Sequence, residues 1–451
     1  MPHSRFLTTL ERDGVVAVFH SLTPNPVFFP KDLWEQYLDD PDRTSEVAAL
    51  LKAEGLLPDS IEEDDEMLQT IREETIGHKF MSILYLILTK NCNFRCRQCF
   101  QEERHPDLYP APPSRSRMSE QVARLALDAF ARHLAESEDK ALEPQIQLYG
   151  GEPLLNQKTL RFAVSYARKL QSEGTLPADL QLIIVTNGSL VTEDIARYFA
   201  ENRIGVGLSV DGPAIENDEY RRTAKGQGTY AAIVQALRLL QQHGVSVTLS
   251  VTVNPNIVGK LPEIIRWAKQ DMGVESIGFN PIGGKSFGYT GTPMKVETYG
   301  KTLAAGLVEA FCIGRDIDLY EDRVGRKVDD FIAESFRAVD CGAVGNQLVV
   351  FPDGGIGFCH ASEDYRVGTV FDPMFRIFQH QRIEAWKAAL PLRQPMCLTC
   401  PAISVCGYGC FHNVLEAGKP LEDRDTQFCL HSRTVMDFLV WDLYEKARAE
   451  T

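Results

Sequence analysis

Between residues 83 and 282 the chain repeats one pattern, a short apolar run followed by a longer segment with apolar positions at helical spacing. The runs are "ILYLILT", "IQLYG", "LIIVTNG", "VGLSVDG", "VTLSVTVN" and "SIGFNPI". Between them, segments such as "SEQVARLALDAFARHLAES" and "TLRFAVSYARKLQSEG" place apolar residues three and four apart, the mark of an amphipathic helix. Near-continuous apolar strands alternating with helices predict a parallel sheet covered by those helices. Six such units predict an α/β fold, a partial (β/α)6 TIM-like barrel. The runs end in polar strings: a cysteine cluster, then "GGEP", "TNG", "SVDG" and "TVN". Parallel α/β folds build their sites at the carboxyl ends of strands, so five such strings in register predict one shared site.

The flanks have other patterns. Residues 1–78 read as a small α+β domain, with strands at "GVVAVFHSL" and "PVFF" and helices at "KDLWEQYL" and "SEVAALLKAEGLL". It has the size of a leader-peptide docking module, and "VVAVFHSL" is its candidate edge for strand addition. The acidic stretch 60–78, beginning "SIEEDDE", predicts a solvated linker. The barrel spans 79–310, a helical bridge 311–340. Residues 341–451 lack long periodicity until a last helix at "TVMDFLVWDLYEKARA", which predicts a section held together by metal.

Composition narrows the classes. A length of 451 residues suggests two or three domains. A formal net charge of −15 argues against a nucleic-acid partner. No apolar run approaches the roughly 20 residues of a membrane span, and "MPHSRFLTTLERDG" lacks a signal-peptide pattern, so a cytoplasmic location is expected. Eleven cysteines then point to metal rather than disulfides. Three lie at 92–99, one at Cys312, and seven between 341 and 429.

In "TKNCNFRCRQCFQEE", Cys92, Cys96 and Cys99 are spaced C-x3-C-x2-C. Structural zinc closes a tetrahedron with four ligands, and the nearest further candidate is His105. A [4Fe–4S] cluster on three thiolates leaves one iron open for a small molecule. This loop after the first strand, with "GGEP" after the second, resembles the radical S-adenosylmethionine (SAM) superfamily. The resemblance implies that Cys92, Cys96 and Cys99 hold the catalytic cluster and that SAM fills the open position. It also implies that Gly150, Gly151 and Glu152 meet the SAM amino group, Ser209 and Asp211 its ribose and carboxylate end, and Arg221 its carboxylate. Asn187 is a further candidate, as is Asn254. Most members carry an aromatic residue before the third cysteine; here Gln98 stands there, and Phe100 is expected to contact adenine through its backbone.

Cys341, Cys359, Cys397, Cys400, Cys406, Cys410 and Cys429 reproduce the seven-cysteine pattern of the SPASM extension on peptide-modifying radical SAM enzymes. That resemblance assigns Cys397, Cys400, Cys406 and Cys429 to an outer auxiliary [4Fe–4S] cluster and Cys341, Cys359 and Cys410 to an inner one. The inner cluster lacks a fourth cysteine; Cys312 is expected in the core. Three clusters and SAM are therefore the implied cofactors. The implied function is hydrogen abstraction from a ribosomally made precursor peptide, forming a thioether, C–C or C–O cross-link, with flavodoxin or ferredoxin as electron donor. One alternative is the anaerobic sulfatase maturase, which makes formylglycine. That group has an eighth cysteine and an aspartate after the cysteine matching Cys359, where this chain has His360, the candidate catalytic base. The alternative outside enzymology is a zinc-bound scaffold for protein partners.

Overall fold

The computed structural model describes residues 4–39, 45–57, 60–101, 117–138 and 143–450. The six predicted apolar runs are strands: β4 (Ile83–Thr89), β5 (Gln145–Gly150), β6 (Gln181–Thr186), β7 (Ile204–Ser209), β8 (Val247–Val253) and β9 (Ser276–Pro281), all parallel and paired in chain order. They follow a three-stranded antiparallel sheet of β1 (Leu7–Arg12), β2 (Val15–His20) and β3 (Thr23–Pro30). The large sheet is wider than six strands. β10 (Tyr320–Glu321) adds to β9, while β11 (Gln347–Val350), β12 (Gly355–Gly357) and β13 (Arg366–Thr369) add beyond β4.

Alternation along the strands separates core from site. On β5 to β8 one set of side chains, including Ile146, Leu148, Leu182, Ile184, Val206, Leu208, Leu249 and Val251, is fully buried beneath the helices. Burying each such side chain contributes about 1.5–3 kcal/mol. The other set, which includes Tyr149, Ser209, Ser250 and Thr252, is only half-buried and faces the opposite side. The helices owe their ends to local chemistry. Ser119 Oγ accepts from Val122 N at 3.2 Å to start helix Glu120–Ala135, and Thr192 Oγ1 accepts from Ile195 N at 3.3 Å to start Glu193–Glu201.

Three expectations change. The stretch read as a linker is helix Ile61–Thr75. Its acidic first turn suits the positive helix end, Leu68 is buried, and Asp64 is buried too, accepting from Ser4 Oγ at 2.9 Å and Arg5 N at 2.8 Å. The charge run concealed an inward face. Secondly, "VVAVFHSL" contains β2, which is the centre of its sheet, paired with β1 on one side and β3 on the other. Its backbone groups are taken; β1 and β3 are the edges. Thirdly, the cysteine-rich section continues the barrel sheet, because β11 pairs in parallel with β4, from Gln347 opposite Ile83 to Val350 opposite Leu86. No described helix is long and apolar enough to cross a membrane.

Candidate functional site

The cysteine loop leaves β4 and is laced to two neighbours. On one side Gly151 N donates to Thr89 O and Glu152 N to Asn91 O, both at 2.8 Å. Gly150 permits this approach: its φ is +137°, and a Cβ there would stand 2.3 Å from Thr89 O. On the other side Arg95 N donates to Arg222 O (2.7 Å), Arg97 N to Tyr220 O (3.0 Å) and Ala224 N to Asn93 O (3.1 Å). The loop is thereby held between the second strand's end and the segment that carries Arg221.

Each implied SAM residue has a definite place. The Glu152 carboxylate is buried and accepts from Leu154 N (3.1 Å), Thr186 Oγ1 (2.7 Å) and Asn187 N (2.8 Å), so it binds the ends of β5 and β6 together. Asn187 Nδ2 donates to Asn93 Oδ1 at 3.0 Å and lies 3.6 Å from Cys92 Sγ. Asp211 is fully buried: Oδ1 accepts from Arg221 Nη2 and Thr252 N, each at 2.9 Å, and Oδ2 accepts from Gln98 Nε2 at 2.6 Å. Arg221 Nε and Gln98 Oε1 are buried there without hydrogen-bond partners. Ser209 ends β7 opposite Ser250 of β8. Asn254 is buried at the end of β8, its Nδ2 unpartnered. His105 lies outside the described residues.

The thiols sort into groups by the fields they exert on one another. Burial pushes the Cys96 thiol up to about 12; Arg221 opposes this, while Cys99, Asp211 and Cys92 add to it. Burial likewise raises Cys359, reinforced by Cys341 and Cys410, and takes Cys410 to about 12, reinforced by Cys341. Cys397 (to about 11) and Cys429 (to about 12) are raised by burial and then by each other's group, Cys400 and Cys406 included. This gives 92/96/99, 341/359/410 and 397/400/406/429. Cys312 joins none of them; its charged neighbours are Arg315, Asp442, Asp316 and Lys446. All eleven thiols are free of disulfides. No group of three described His, Cys, Asp or Glu side chains is set to hold a single ion. Groups of three and four neighbouring cysteines suit the ligand sets of iron–sulfur clusters, which bind their thiols deprotonated.

The first and inner groups meet at an aromatic box around His360. Its ring stacks on Tyr85 (centroids 4.7 Å apart, 27° between planes) and meets Tyr149 at 5.2 Å and Phe100 at 5.7 Å. Phe100 follows Cys99 and His360 follows Cys359, so each cysteine group contributes its next residue. Burial, then the nearby His412, pushes the His360 pKa down to about 4, and its Nδ1 is buried without a partner. The Phe100 ring thus packs edge-on against the residue that follows Cys359. Sequence reasoning did not single out Tyr85, Tyr149, Thr252 or Asn93. The inward period-two positions of β4 and β5 were the available signal for the two tyrosines.

Residues 86–268 match the Radical SAM superfamily, and the chain carries a radical SAM domain there. Over 366 residues it is 25% identical to the cysteine-type anaerobic sulfatase-maturating enzyme of Clostridium novyi, spanning 78% of this chain and 93% of that protein. It is 24% identical over 291 residues to the radical SAM cyclopropyl synthase TigE of Paramaledivibacter caminithermalis, 62% of this chain and 58% of the relative. Among solved structures, native anSMEcpe with bound AdoMet superposes with a TM-score of 0.65 at 18% identity, covering 82% of this chain and 100% of that one. Streptococcus suis SuiB bound to precursor peptide SuiA gives 0.51 at 12% identity, covering 94% and 99%. Both likenesses are of fold.

Proposed function

We propose that this radical SAM protein is a peptide maturase of the SPASM type, holding SAM and three [4Fe–4S] clusters and forging a cross-link in a ribosomally made precursor peptide. Cys92, Cys96 and Cys99 hold the catalytic cluster, Cys341, Cys359 and Cys410 the inner auxiliary one, and Cys397, Cys400, Cys406 and Cys429 the outer. When bound, SAM and a reduced cluster supply a 5′-deoxyadenosyl radical, which removes a hydrogen atom from the peptide. The chain's own part is positioning. Gly150, Gly151 and Glu152 fix the cysteine loop against β5 and β6. Arg221, held by Asp211, presents buried positive charge to a carboxylate. Tyr85, Tyr149, Phe100 and His360 form a packed aromatic wall that keeps water from a radical.

The observation that carries the choice of peptide is the N-terminal unit. The anSMEcpe likeness covers all of that chain and 82% of this one, whereas the SuiB likeness extends over 94%. A three-stranded sheet with β1 and β3 as edges supports docking of a leader by strand addition. A second reading, formylglycine formation in a sulfatase, is favoured by the Clostridium novyi relative and the higher TM-score of anSMEcpe. Flavodoxin or ferredoxin serves as the external electron donor in either reading.

Co-expression with any small open reading frame that flanks the gene tests the choice. A peptide that has lost two hydrogens and gained a cross-link between residues supports maturation. A hydrazide-reactive aldehyde on a sulfatase peptide, with no change in the small peptide, would replace it with the second reading. Replacing Cys92, Cys96 and Cys99 by alanine should abolish deoxyadenosine formation; wild-type deoxyadenosine from that variant would remove the site assignment.

A further inference from the structure

Between the inner and outer auxiliary cysteine groups lies a buried cluster of charge that the proposed chemistry does not use. Lys327, on helix Asp322–Ile332, has no exposed surface. Its Nζ donates to the carbonyls of Val405 and, at 3.3 Å, of Cys406, and it stands 4.9 Å from the centre of the Phe428 ring. Among the described residues the one carboxylate within ion-pair reach is Asp340, at 4.0 Å. That carboxylate is shared. Arg323 lies 3.5 Å from it, and Arg326 and Arg337 each 3.7 Å. Asp340 Oδ1 accepts no hydrogen bond, and the ring nitrogens of His431 and the hydroxyl of Ser404, close in sequence to Cys429 and Cys406, are buried without partners, while the Ser432 hydroxyl bonds to Cys406.

The position is fixed on both sides. Asp340 immediately precedes Cys341 and is strapped to the segment after Cys406 by Asp340 N donating to Gly407 O at 2.8 Å. A buried ammonium whose only carboxylate is divided among four cations is costly unless another anion stands beside it. Four cysteine thiolates on a [4Fe–4S] core carry net negative charge, which grows by one unit on reduction. The other cations near that group, Arg424 and Arg433, lie on the exposed surface, where water screens them, although Arg433 also hydrogen-bonds Cys400.

We infer that Lys327 is the built-in counter-ion of the outer auxiliary cluster, a positioning residue that favours the cluster's one-electron-reduced form. The inference rests on the assignment of Cys397, Cys400, Cys406 and Cys429 as ligands. Reduction takes one electron from the titrant into the cluster and changes no bond. The added negative charge is stabilised by the ammonium already in place.

The test is a dithionite titration of the full-length, anaerobically reconstituted protein, followed by electron paramagnetic resonance. Iron content and three distinguishable signals in the wild type check the ligand assignment by themselves. Lys327→Met should shift the reduction equilibrium of one auxiliary cluster at least tenfold towards the oxidised form, 59 mV for one electron. The SAM-bound catalytic cluster should not move. Lys327→Arg, which keeps the charge, should stay within threefold of wild type. Failure of Lys327→Met to load one cluster while Lys327→Arg loads all three also supports the inference. Unchanged potentials in Lys327→Met, an equal shift of all clusters, or failure of both variants to load would overturn it.

Discussion

The contact between Gly150 and Thr89 sets how closely the cysteine loop is held, and Gly150→Ala measures it. The new Cβ would sit 2.3 Å from Thr89 O and 3.2 Å from Thr89 N. Real Cβ atoms keep at least 3.0 Å, so the two strand ends must part by at least 0.7 Å, the difference of those two distances. An alanine at φ +137° is strained as well, at about 1–3 kcal/mol. Parting the strands also stretches the bonds from Gly151 N to Thr89 O and from Glu152 N to Asn91 O, each worth about 1 kcal/mol. The expected loss is on the order of 3–5 kcal/mol, spent where the chain enters Cys92. A displacement near 1 Å at a reacting centre can cost about 100-fold in rate. Deoxyadenosine release under excess dithionite should fall by about that factor, while the iron held by the cysteines between 341 and 429 is unchanged. Gly174→Ala is the control: its φ is also positive, at +71°, but a Cβ there meets nothing within 4 Å. Equal stability and equal SAM cleavage in the two variants would refute the reasoning.

Two further predictions concern buried charge. Asp211→Asn leaves Arg221 buried without its anion, which should cost about 3–5 kcal/mol; chemical denaturation of the metal-free protein reads it, and a loss below about 1 kcal/mol would show that the pair is not a structural anchor. Glu321, fully buried, is pushed up to about 7 by burial, against the donated N–H groups of Val324 and Arg323. An acid with a raised folded pKa keeps its proton in the folded state, so stability is unaffected below about pH 4.5 and falls as pH rises through 7. The full effect is on the order of 3 kcal/mol. Glu321→Gln should therefore gain on wild type by about that amount between pH 4.5 and 8; parallel urea midpoints over that range would contradict it.

The barrel was legible because each apolar run could be read locally and the polar strings at the strand ends stood in register. The three-cysteine loop and the seven-cysteine pattern were legible because spacing is a one-dimensional property. What escaped depended on partners far along the chain. Gln98 looked like a missing aromatic; it is a donor to Asp211, 113 positions away. The bonds of the Glu152 carboxylate to Leu154, Thr186 and Asn187, which join two strand ends, leave no trace in spacing. Helix Ile61–Thr75 was hidden because its charges outnumber Met67, Leu68 and Ile71, although these lie on one side. β12 has three residues, two of them glycine, too few for any period to register.

The ladder between β11 and β4 has a practical consequence. A chain cut at residue 340 would keep the whole radical SAM domain, yet it would strip β4 of the partner on one flank. β4 is seven residues long, almost wholly apolar and without proline. Such a strand, laid bare, is a template for pairing with another molecule. The catalytic barrel is therefore not an excisable module: truncation should yield aggregates instead of a smaller enzyme, and swapping SPASM sections between relatives requires carrying β11 across with its register intact.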